Sequence, residues 1–477
     1  MEETQFDFSY APGVTEEQIL GFEMAGQIWS QYLADRATIN IYVEMTDQLP
    51  ENVIGGALPG MKKDIKYEKV WKEMQDDITT DDDLTAFNNF SSVDKKFTAL
   101  VNGQEINKVE KMKITNANAK ALGLLDGDKD KLDGYIVMSD LTGQSNVQWD
   151  YDPFRDGEIA DNSLDFVSVA LHEIGHVMGF VSGMDDGDWL NVVTKANEEN
   201  KEFKGDAMKF STPLDLFRYS ANSAAKGQTD LSFGGNAFFS IDGGQTNLGN
   251  FSTGEYQDLG GDGYQASHWK QSDNNALGIM DPVLKLGQQR EISSLDTIAM
   301  DVMGWDVVNP DRLNWEELHN DALESAEDVL VANRDKDVEK MIKESETYHG
   351  RNGRRGRRGR RNQIGLWQNI KFQTLDVEVD SFQSEADIAQ VLFDNYMSQF
   401  DSGIAVQNET DDKENESTVK NEFEVEETVV QLIDNSQIVN SEFESNTLDL
   451  EMLSQLLSEK LEGVLDVDGE PLVMPLG

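Results

Sequence analysis

Apolar and polar residues follow two different periods along the first 310 residues, so that both helices and strands are predicted. Thr15 and Gln18 form a capping-box pair, and the apolar residues that follow recur at helical spacing as far as Leu33. Residues 39–45 alternate between apolar and polar, which predicts a strand, and a second strand is predicted at 134–140.

Two further helices are predicted from the same kind of pattern. One covers about residues 162–178, and the other covers about residues 293–303. Ser293 and Asp296 have the spacing of a capping box for the later helix, and Gly304 follows its last apolar residue. Because helices and strands are mixed, residues 1–310 are predicted to form one domain of the α+β or α/β class.

Charge divides the chain into three parts. Residues 1–310 carry 24 basic and 52 acidic side chains, residues 311–370 carry 12 of each, and residues 371–477 carry 4 basic and 26 acidic. We therefore predict a globular domain at 1–310, a charged helical linker at 311–362 and an acidic, partly disordered tail at 363–477. Within the tail, short helices are predicted at 386–393 and 448–461.

The whole-chain composition limits the classes of partner. A formal net charge of −50 argues against nucleic acid or an anionic membrane as the main partner. No run of 18 apolar residues is present, so no transmembrane segment is predicted. Cysteine is absent, which excludes disulfides and thiolate metal sites. The first 13 residues have neither the basic nor the apolar stretch of a cleavable secretory signal.

Two of the five histidines lie four residues apart in the segment SVALHEIGHVMGF. At that spacing on a helix, the imidazoles of His172 and His176 project from one face, and Glu173 lies one step around the helix. Two neutral imidazoles so placed can bind one zinc ion, and the carboxylate can act on the zinc-bound water. The structural alternative is a pair of buried histidines without a metal, which would leave a costly carboxylate between them.

A catalytic zinc ion needs a third protein ligand and one open position. A third histidine six residues after His176 would complete a common zinc-peptidase motif, but Ser182 stands there. The remaining candidates are Asp185, Asp186, an acidic residue on a later helix, or a distant histidine. We favour His268, which lies in a Ser-His-Trp sequence 12 residues before the methionine of Gly-Ile-Met-Asp-Pro.

In combination, these motifs resemble those of the leishmanolysin-like metzincins, a family of zinc metalloproteases. The segments HEIGHVMGF, SHW, GIMDP and ISSLDTIAMDVMGW occur in the family's order, with an insertion of about 90 residues between the first two. The chain is also similar to uncharacterised bacterial metalloproteases that carry HEIGHxxGFxSG. The resemblance covers about residues 10–308. Leishmanolysins are rich in cysteine and begin with a pro-segment, and this chain shares neither feature.

The resemblance implies a metzincin-like catalytic domain at 1–310, with a mixed sheet, an active-site helix and a C-terminal helix. It implies that His172, His176 and His268 bind one catalytic zinc ion, that Glu173 is the base, and that Met280 forms the methionine turn. It further implies protein or peptide substrates and an extracellular or cell-surface location. By the same analogy, the strand at 134–140 is expected to be a sheet edge that holds the substrate. Independently of the resemblance, Asp165 or another acidic residue is a candidate to orient an imidazole.

The leading hypothesis is therefore a zinc-dependent endopeptidase in which Glu173 activates a zinc-bound water. One alternative is a non-catalytic metal-binding surface or adhesion protein on the same fold, and another is a zinc hydrolase of a non-protein amide or ester. The intact Glu173 favours an enzyme, since a non-catalytic copy has no need of a general base.

Weaker signals lie outside the histidine motif. A second site, for calcium, is one interpretation of the alternating carboxylates in LLDGDKDKLDG, and a solvated acidic turn is the other. Seven arginines at 351–361 indicate a flexible charged linker, a docking segment or a cleavage site, and the acidic tail could act as a secretion module or an intramolecular inhibitor. His319 and His349 lie in charged stretches and are expected to be solvated. The calcium candidates are Asp126, Asp128, Asp130 and Asp133.

Overall fold

The computed structural model describes most of the residues of the unit Met1–Asp380. His349, the arginine-rich segment and the two helices predicted in the tail lie outside the described residues. The described residues are 4–49, 52–89, 96–142, 147–187, 189–190, 192–194, 208–271, 276–308, 310, 312–329, 334–346 and 373–378.

A six-stranded mixed sheet forms the centre of the unit. Its first three strands are parallel, the fourth is antiparallel to the third, and the fifth is antiparallel to the fourth and parallel to the sixth. In spatial order the strands are β1 (Gln5–Tyr10), β2 (Thr38–Thr46), β8 (Gly134–Ser139), β3 (Val53–Pro59), β16 (Gln373–Glu378) and β15 (Val283–Lys285).

Smaller sheets extend the unit around this centre. Two are pairs, namely β4 (Met61–Lys66) with β7 (Lys111–Thr115), and β9 (Gln148–Asp150) with β10 (Ser163–Asp165). Two have three strands, namely β5 (Phe97–Val101), β6 (Gln104–Val109) and β12 (Thr229–Asp230), and β11 (Arg218–Tyr219), β13 (Phe238–Phe239) and β14 (Gly249–Asn250).

Helices are interspersed with the strands, as the mixed α+β expectation requires. None in the described part of the chain is long and apolar enough to cross a membrane. The α-helices are α1 (Glu16–Ser30), α2 (Tyr67–Asp76), α3 (Asp81–Asn89), α4 (Asn116–Ala121), α5 (Phe166–Met178), α6 (Ala221–Ala224), α7 (Ser294–Val302), α8 (Trp315–Glu327) and α9 (Asp335–Glu346), and 3-10 turns occur at Gly183–Asp185, Leu214–Phe217 and Gln257–Leu259.

Local sequence signals place the ends of several elements correctly. Thr15 accepts a hydrogen bond from the backbone of Gln18, whose side chain bonds back to Thr15, so the capping box predicted for α1 is confirmed. Ser293 and Asp296 form the same reciprocal pair at the start of α7. The two predicted strands correspond to β2 and β8.

The position of β8 in the sheet differs from the expectation. It pairs with β2 on one side and with β3 on the other, so both of its edges are occupied. The prediction that residues 134–140 form a substrate-binding sheet edge is therefore wrong. The strand that follows β8 in space, β3, has the opposite direction, and its Gly55 lies against Glu173.

Residues beyond 310 contribute to the compact unit. Leu318 and Ala322 of α8 are buried, and Val338 and Ile342 of α9 pack in an apolar cluster with β8 residues. This segment is helical, as predicted, but one face of each helix is buried because apolar residues recur at helical spacing. Strand β16 lies in a part of the chain predicted as acidic tail, and it completes the central sheet.

Helix α5 is buried over its entire length. All 13 of its residues are inaccessible to solvent, which is typical of a helix packed on several sides. It contacts β3, β16 and α1, and the indole N–H of Trp29 in α1 donates to the carbonyl oxygen of Leu171 at 3.0 Å. The histidine motif is thereby held on a rigid element in the core.

Candidate metal centre

The two ends of α5 are fixed by specific local features. Asp165 caps the first turn by accepting a hydrogen bond from the backbone N–H of Ser168 at 3.0 Å, and the carboxylate also pairs with Arg155 at 2.9 Å. Gly179 ends the helix with a φ of 133°, a conformation that side-chain-bearing residues rarely adopt. The chain then turns away from the helix toward the segment that contains Ser182.

Three imidazoles converge beside α5. The Nε2 atoms of His172 and His176 are 3.0 Å apart, and the Nε2 of His268 lies 3.2 Å from each of them. A tetrahedral metal with bonds of about 2.0–2.1 Å holds its nitrogen ligands roughly 3.3 Å apart, so the triangle has the size of a metal site. All three residues are at most 1% exposed.

The other ring nitrogen of each histidine faces a backbone carbonyl oxygen. Nδ1 of His172 lies 2.7 Å from the carbonyl oxygen of Ile279, and Nδ1 of His176 lies 2.7 Å from that of Phe180. Nδ1 of His268 lies 3.2 Å from the carbonyl oxygen of Gln265. A carbonyl only accepts, so these contacts assign the proton to Nδ1 in each ring. The three Nε2 lone pairs therefore point at one another, an arrangement that a bound cation stabilises.

Electrostatics agree with neutral imidazoles. Burial, followed by the neighbouring histidines, holds the pKa of His172 and of His176 well below the usual value. Burial also lowers the pKa of His268 to about 4. Neutral imidazole is the form that binds a metal, and within the described part of the chain these three residues are the one group of acidic or imidazole side chains close enough to hold an ion.

The segment around His268 is positioned by buried hydrogen bonds. The carboxylate of Asp185 accepts from the backbone N–H of Ala266 at 2.8 Å and of Ser267 at 2.9 Å. Asp186 pairs instead with Lys113. Both acidic candidates for the third ligand thus have other partners, and His268 is the residue that the fold brings to His172 and His176.

Asp165, the candidate to orient an imidazole, does not do so. It serves α5 as a cap and pairs with Arg155, whereas the three Nδ1 atoms contact backbone carbonyls. That expectation is wrong because the loops carrying Ile279, Phe180 and Gln265 already supply the acceptors.

Met280 packs against α5 at Gly175. A Cβ added at Gly175, between Glu173 and His176 on α5, would come within 2.4 Å of the Met280 sulfur. Met280 is fully buried, and its carbonyl oxygen accepts from the backbone N–H of Trp269 at 3.0 Å. The turn therefore links the His268 segment to α5, and a side chain at position 175 would require Met280 to move.

Asp296 is a site residue that sequence reasoning treated only as a helix cap. Its carboxylate accepts from the indole N–H of Trp269 at 2.7 Å and from the backbone N–H of Ile279 at 2.8 Å. It therefore ties α7 to the residues after His268 and before Met280. Its one signal in the sequence is the capping-box spacing with Ser293, which does not reveal the distant partners.

Glu173 is completely buried beside the cluster. Within the described residues neither of its carboxyl oxygens has a hydrogen-bond partner. Burial, followed by the charge of Asp376 in β16, raises the pKa of Glu173 well above the usual range. An added Cβ at Gly55 in β3 would approach Oε1 of Glu173 to 2.6 Å, so the carboxyl group lies against that strand.

The four carboxylates considered for calcium are not gathered into a site. Asp133 is buried and accepts from the ammonium of Lys120 at 2.6 Å, and Oδ1 of Asp126 accepts from the backbone of Asp128 at 3.2 Å. No cluster of metal-binding geometry includes them among the described residues. His319 likewise stands apart from the histidine cluster, with its ring 4.5 Å from that of Phe154.

The arrangement as a whole is a mixed α+β fold with a buried group of three histidines that can hold a metal ion, and one unpaired carboxyl group beside it. No family model, curated protein or solved structure matches the chain. The chemistry of the site is therefore inferred from the residues that form it.

Proposed function

We propose that this chain is a zinc-dependent endopeptidase with a leishmanolysin-like, metzincin-type catalytic domain. The observation that carries the proposal is the convergence of three Nε2 lone pairs within 3.2 Å of one another, next to the unpaired carboxyl group of Glu173. The motif order in the sequence adds support, because it resembles that of this protease family.

The donor set favours zinc. Three neutral imidazoles and no thiolate suit a borderline-soft divalent cation, and a fourth, open position is the feature that separates catalytic zinc sites from structural ones. The backbone acceptors of the three Nδ1–H groups fix the ring orientations, as the outer partners of metal-binding histidines generally do. His172, His176 and His268 would hold the ion.

A bound zinc ion would supply Lewis acidity and would lower the pKa of coordinated water to about 7. Glu173 accepts a proton from the attacking water as the water oxygen bonds to the scissile carbonyl carbon. It then returns that proton to the leaving nitrogen as the C–N bond breaks, so that a carboxylic acid and an amine result.

Two rival functions differ from this proposal in testable ways. A non-catalytic metal-binding protein would gain nothing from a buried, unpaired Glu173, which costs free energy to keep. A hydrolase of non-protein amides or esters would share the chemistry and differ only in substrate. A panel of protein, peptide and non-protein substrates distinguishes an endopeptidase from a hydrolase of non-protein amides or esters. The Glu173→Gln variant distinguishes an endopeptidase from a non-catalytic metal-binding protein.

The test uses the purified full chain and three variants. Wild type is expected to hold one zinc ion and to cleave casein. Glu173→Gln should keep the zinc and lose roughly 10²–10⁴-fold in rate, because proton transfer typically contributes that much. His268→Ala should lose the zinc, whereas His319→Ala, a histidine outside the cluster, should behave as wild type.

Other outcomes would reject the proposal. If wild type binds no zinc, the inference from the three imidazoles is wrong. If zinc binds but Glu173→Gln cleaves as fast as wild type, Glu173 is not the base. Casein cleavage that survives in His268→Ala would point to a contaminating protease.

A further inference from the structure

Strands β3 and β15 flank one strand position of the central sheet, and we call this position the groove. On one side is β3, whose Gly55 lies against Glu173. On the other side is β15, which begins three residues after Met280. An extended polypeptide that paired with both strands would lie in this groove, beside Glu173.

Strand β16 already lies in this groove. It pairs antiparallel with β3, with Leu375 opposite Gly55, and parallel with β15, with Asp376 opposite Val283. A bulge between Leu375 and Asp376 interrupts the pairing next to Gly55. The side chains of Leu375 and Val377 are buried, so the strand packs into the core as well as pairing with its neighbours.

Main-chain groups hold β16 on both sides. The backbone N–H of Val377 donates to the carbonyl oxygen of Asn52 at 2.8 Å, and that of Asp376 donates to the carbonyl oxygen of Pro282 at 3.0 Å. The backbone N–H of Thr374 donates to Oε1 of Gln265 at 2.9 Å. Binding through backbone groups at a sheet edge is the mode by which proteins accept extended peptides with little dependence on sequence.

The strand also reaches the reactive groups. Gln265, which accepts from Thr374, is the residue whose carbonyl oxygen contacts Nδ1 of His268. The charge of Asp376 acts on Glu173, and burial followed by the charge of Glu255 raises the pKa of Asp376 itself to about 6. Strand β16 also contacts α5, the helix that carries Glu173.

We propose that Gln373–Glu378 is an internal occupant of the groove, and that a polypeptide substrate binds between β3 and β15 only after this strand has left. The inference rests on the proposed function, because it identifies the bound strand with the place of a substrate. Two strands cannot pair with the same edge of β3, so the occupant and the substrate exclude each other.

The connection to the rest of the chain explains how such an occupant is kept in place. Between Glu346 and Gln373 lie 26 residues, and seven arginines are among them. A covalent connection makes the pairing of the strand intramolecular, which raises its effective concentration above that of a dilute substrate. Cleavage of the tether would turn an intramolecular contact into a weaker, bimolecular one.

The direct test is a full-chain variant that weakens the strand. Val377→Pro removes the N–H that donates to Asn52, and Val377→Thr is the matched control because it keeps the N–H and the β-branched shape. We expect Val377→Pro to cleave casein at least about tenfold faster than wild type, and Val377→Thr to resemble wild type. A synthetic peptide of residues 371–380 should suppress the gain, and a scrambled peptide should not.

A readout that does not depend on catalysis accompanies this assay. Hydrogen exchange of the β3 amides, and binding of fluorescein-labelled 371–380 peptide followed by anisotropy, report whether the groove is open. We expect faster exchange and peptide binding in Val377→Pro, with slow exchange and no binding in wild type.

The two readouts separate failure of this inference from failure of the proposed function. If β3 becomes exposed but the casein rate does not rise above a measurable wild-type rate, the strand does not exclude substrate. If the labelled peptide binds Val377→Pro and not wild type, yet no zinc-loaded chain cleaves protein or peptide, the groove and its occupant stand and the peptidase proposal fails. If wild type binds the labelled peptide as well as the variant does, the inference is overturned.

Wild type itself supplies a second test, should Val377→Pro fail to fold. Trypsin is used to nick the native chain within 351–361, the cut is located by mass spectrometry, and the trypsin is then inhibited. Nicked chain should bind the labelled peptide and cleave casein faster than intact chain. Equal peptide binding by nicked and intact chain would count against an occupant that is held by its tether.

Discussion

Gly55 in β3 and Glu173 in α5 are packed so closely that a single methyl group on Gly55 would lie 2.6 Å from a carboxyl oxygen of Glu173. The relationship fixes where the carboxyl group points, because β3 blocks it on one side. It also explains why the strand nearest the metal centre has a glycine at this position, where a larger residue would have better strand propensity.

We therefore expect Gly55→Ala to displace Glu173 without disturbing the three histidines. The rate of casein cleavage should fall at least about tenfold, because a displacement of about 1 Å at a reacting group lowers the reaction rate by that factor or more. Zinc content, measured by mass spectrometry of the metal, should stay at the wild-type value. Gly235→Ala is the control, since an added Cβ there meets nothing within 4 Å.

Asp296→Ala should weaken metal binding although Asp296 is not a ligand. The substitution leaves the indole of Trp269 and the backbone N–H of Ile279 without their acceptor, which loosens the turn that positions His172 and His268. Loss of such supporting contacts typically costs about 10–100-fold in metal affinity. Competition with a fluorescent zinc chelator measures the zinc affinity. The control is Asp258→Ala, a substitution at an exposed position, and equal zinc affinities of the Asp296→Ala and Asp258→Ala variants would contradict the prediction.

Zinc should stabilise the folded chain by linkage. At free zinc 100-fold above the dissociation constant, one site that binds only the folded state contributes about 2.7 kcal/mol. Scanning calorimetry of metal-free and zinc-loaded protein should therefore show a higher Tm with zinc. The His268→Ala variant is expected to show little or no shift, and an equal shift in that variant would place the zinc elsewhere.

Three aspartates, of which Asp35 and Asp301 are buried and Asp77 is half-buried, predict a stability that falls as pH rises toward 8. Burial, followed by the charge of Asp306, raises the pKa of Asp77 to about 8 and of Asp35 to about 7. Burial likewise raises the pKa of Asp301 to about 7, and Oδ1 of Asp301 has no hydrogen-bond partner in the described structure. Each carboxyl group binds a proton on folding between its unfolded pKa, near 4, and its raised value.

Stability contributed by these groups is thus fully present near pH 4 and is lost as pH rises through the raised values. Asp77→Asn removes one ionisation, so its Tm relative to wild type should increase steadily between about pH 4 and pH 8. Asp258→Asn, which removes one charge from an exposed position, should show a smaller trend. A Tm difference for Asp77→Asn that does not vary with pH would show that Asp77 ionises normally in the folded chain.

The sequence predicted well those features that depend on neighbouring residues. The capping pairs at Thr15 and Ser293 are visible because their partners are three residues apart, and the spacing of His172 and His176 already implies a shared face of α5. The mixture of helix and strand follows from local periodicity in the same way. His268 was assigned from the order of its motifs, and the structure brings its Nε2 to the other two.

Features that depend on distant pairing were missed. Nothing near Gly55 shows that β3, and not β8, is the strand beside the metal centre, because strand order is set by contacts between segments far apart in sequence. The same holds for Asp296, whose partners are 16 to 27 residues away. Strand β16 was not predicted from the sequence. Its alternating pattern covers only six residues, which is too short to indicate a strand within an acidic tail that is predicted to be partly disordered.

The late position of β16 in the chain has a consequence for the order of biosynthesis. All three histidines and Asp296 are translated before Gln373, and about 70 residues separate the end of α7 from β16. At roughly 5–20 residues per second, the ribosome needs on the order of ten seconds to cover that distance. In a nascent chain the three histidines and the strands that flank the proposed groove thus exist before β16 does, whereas a chain refolded from denaturant has all of these segments at once.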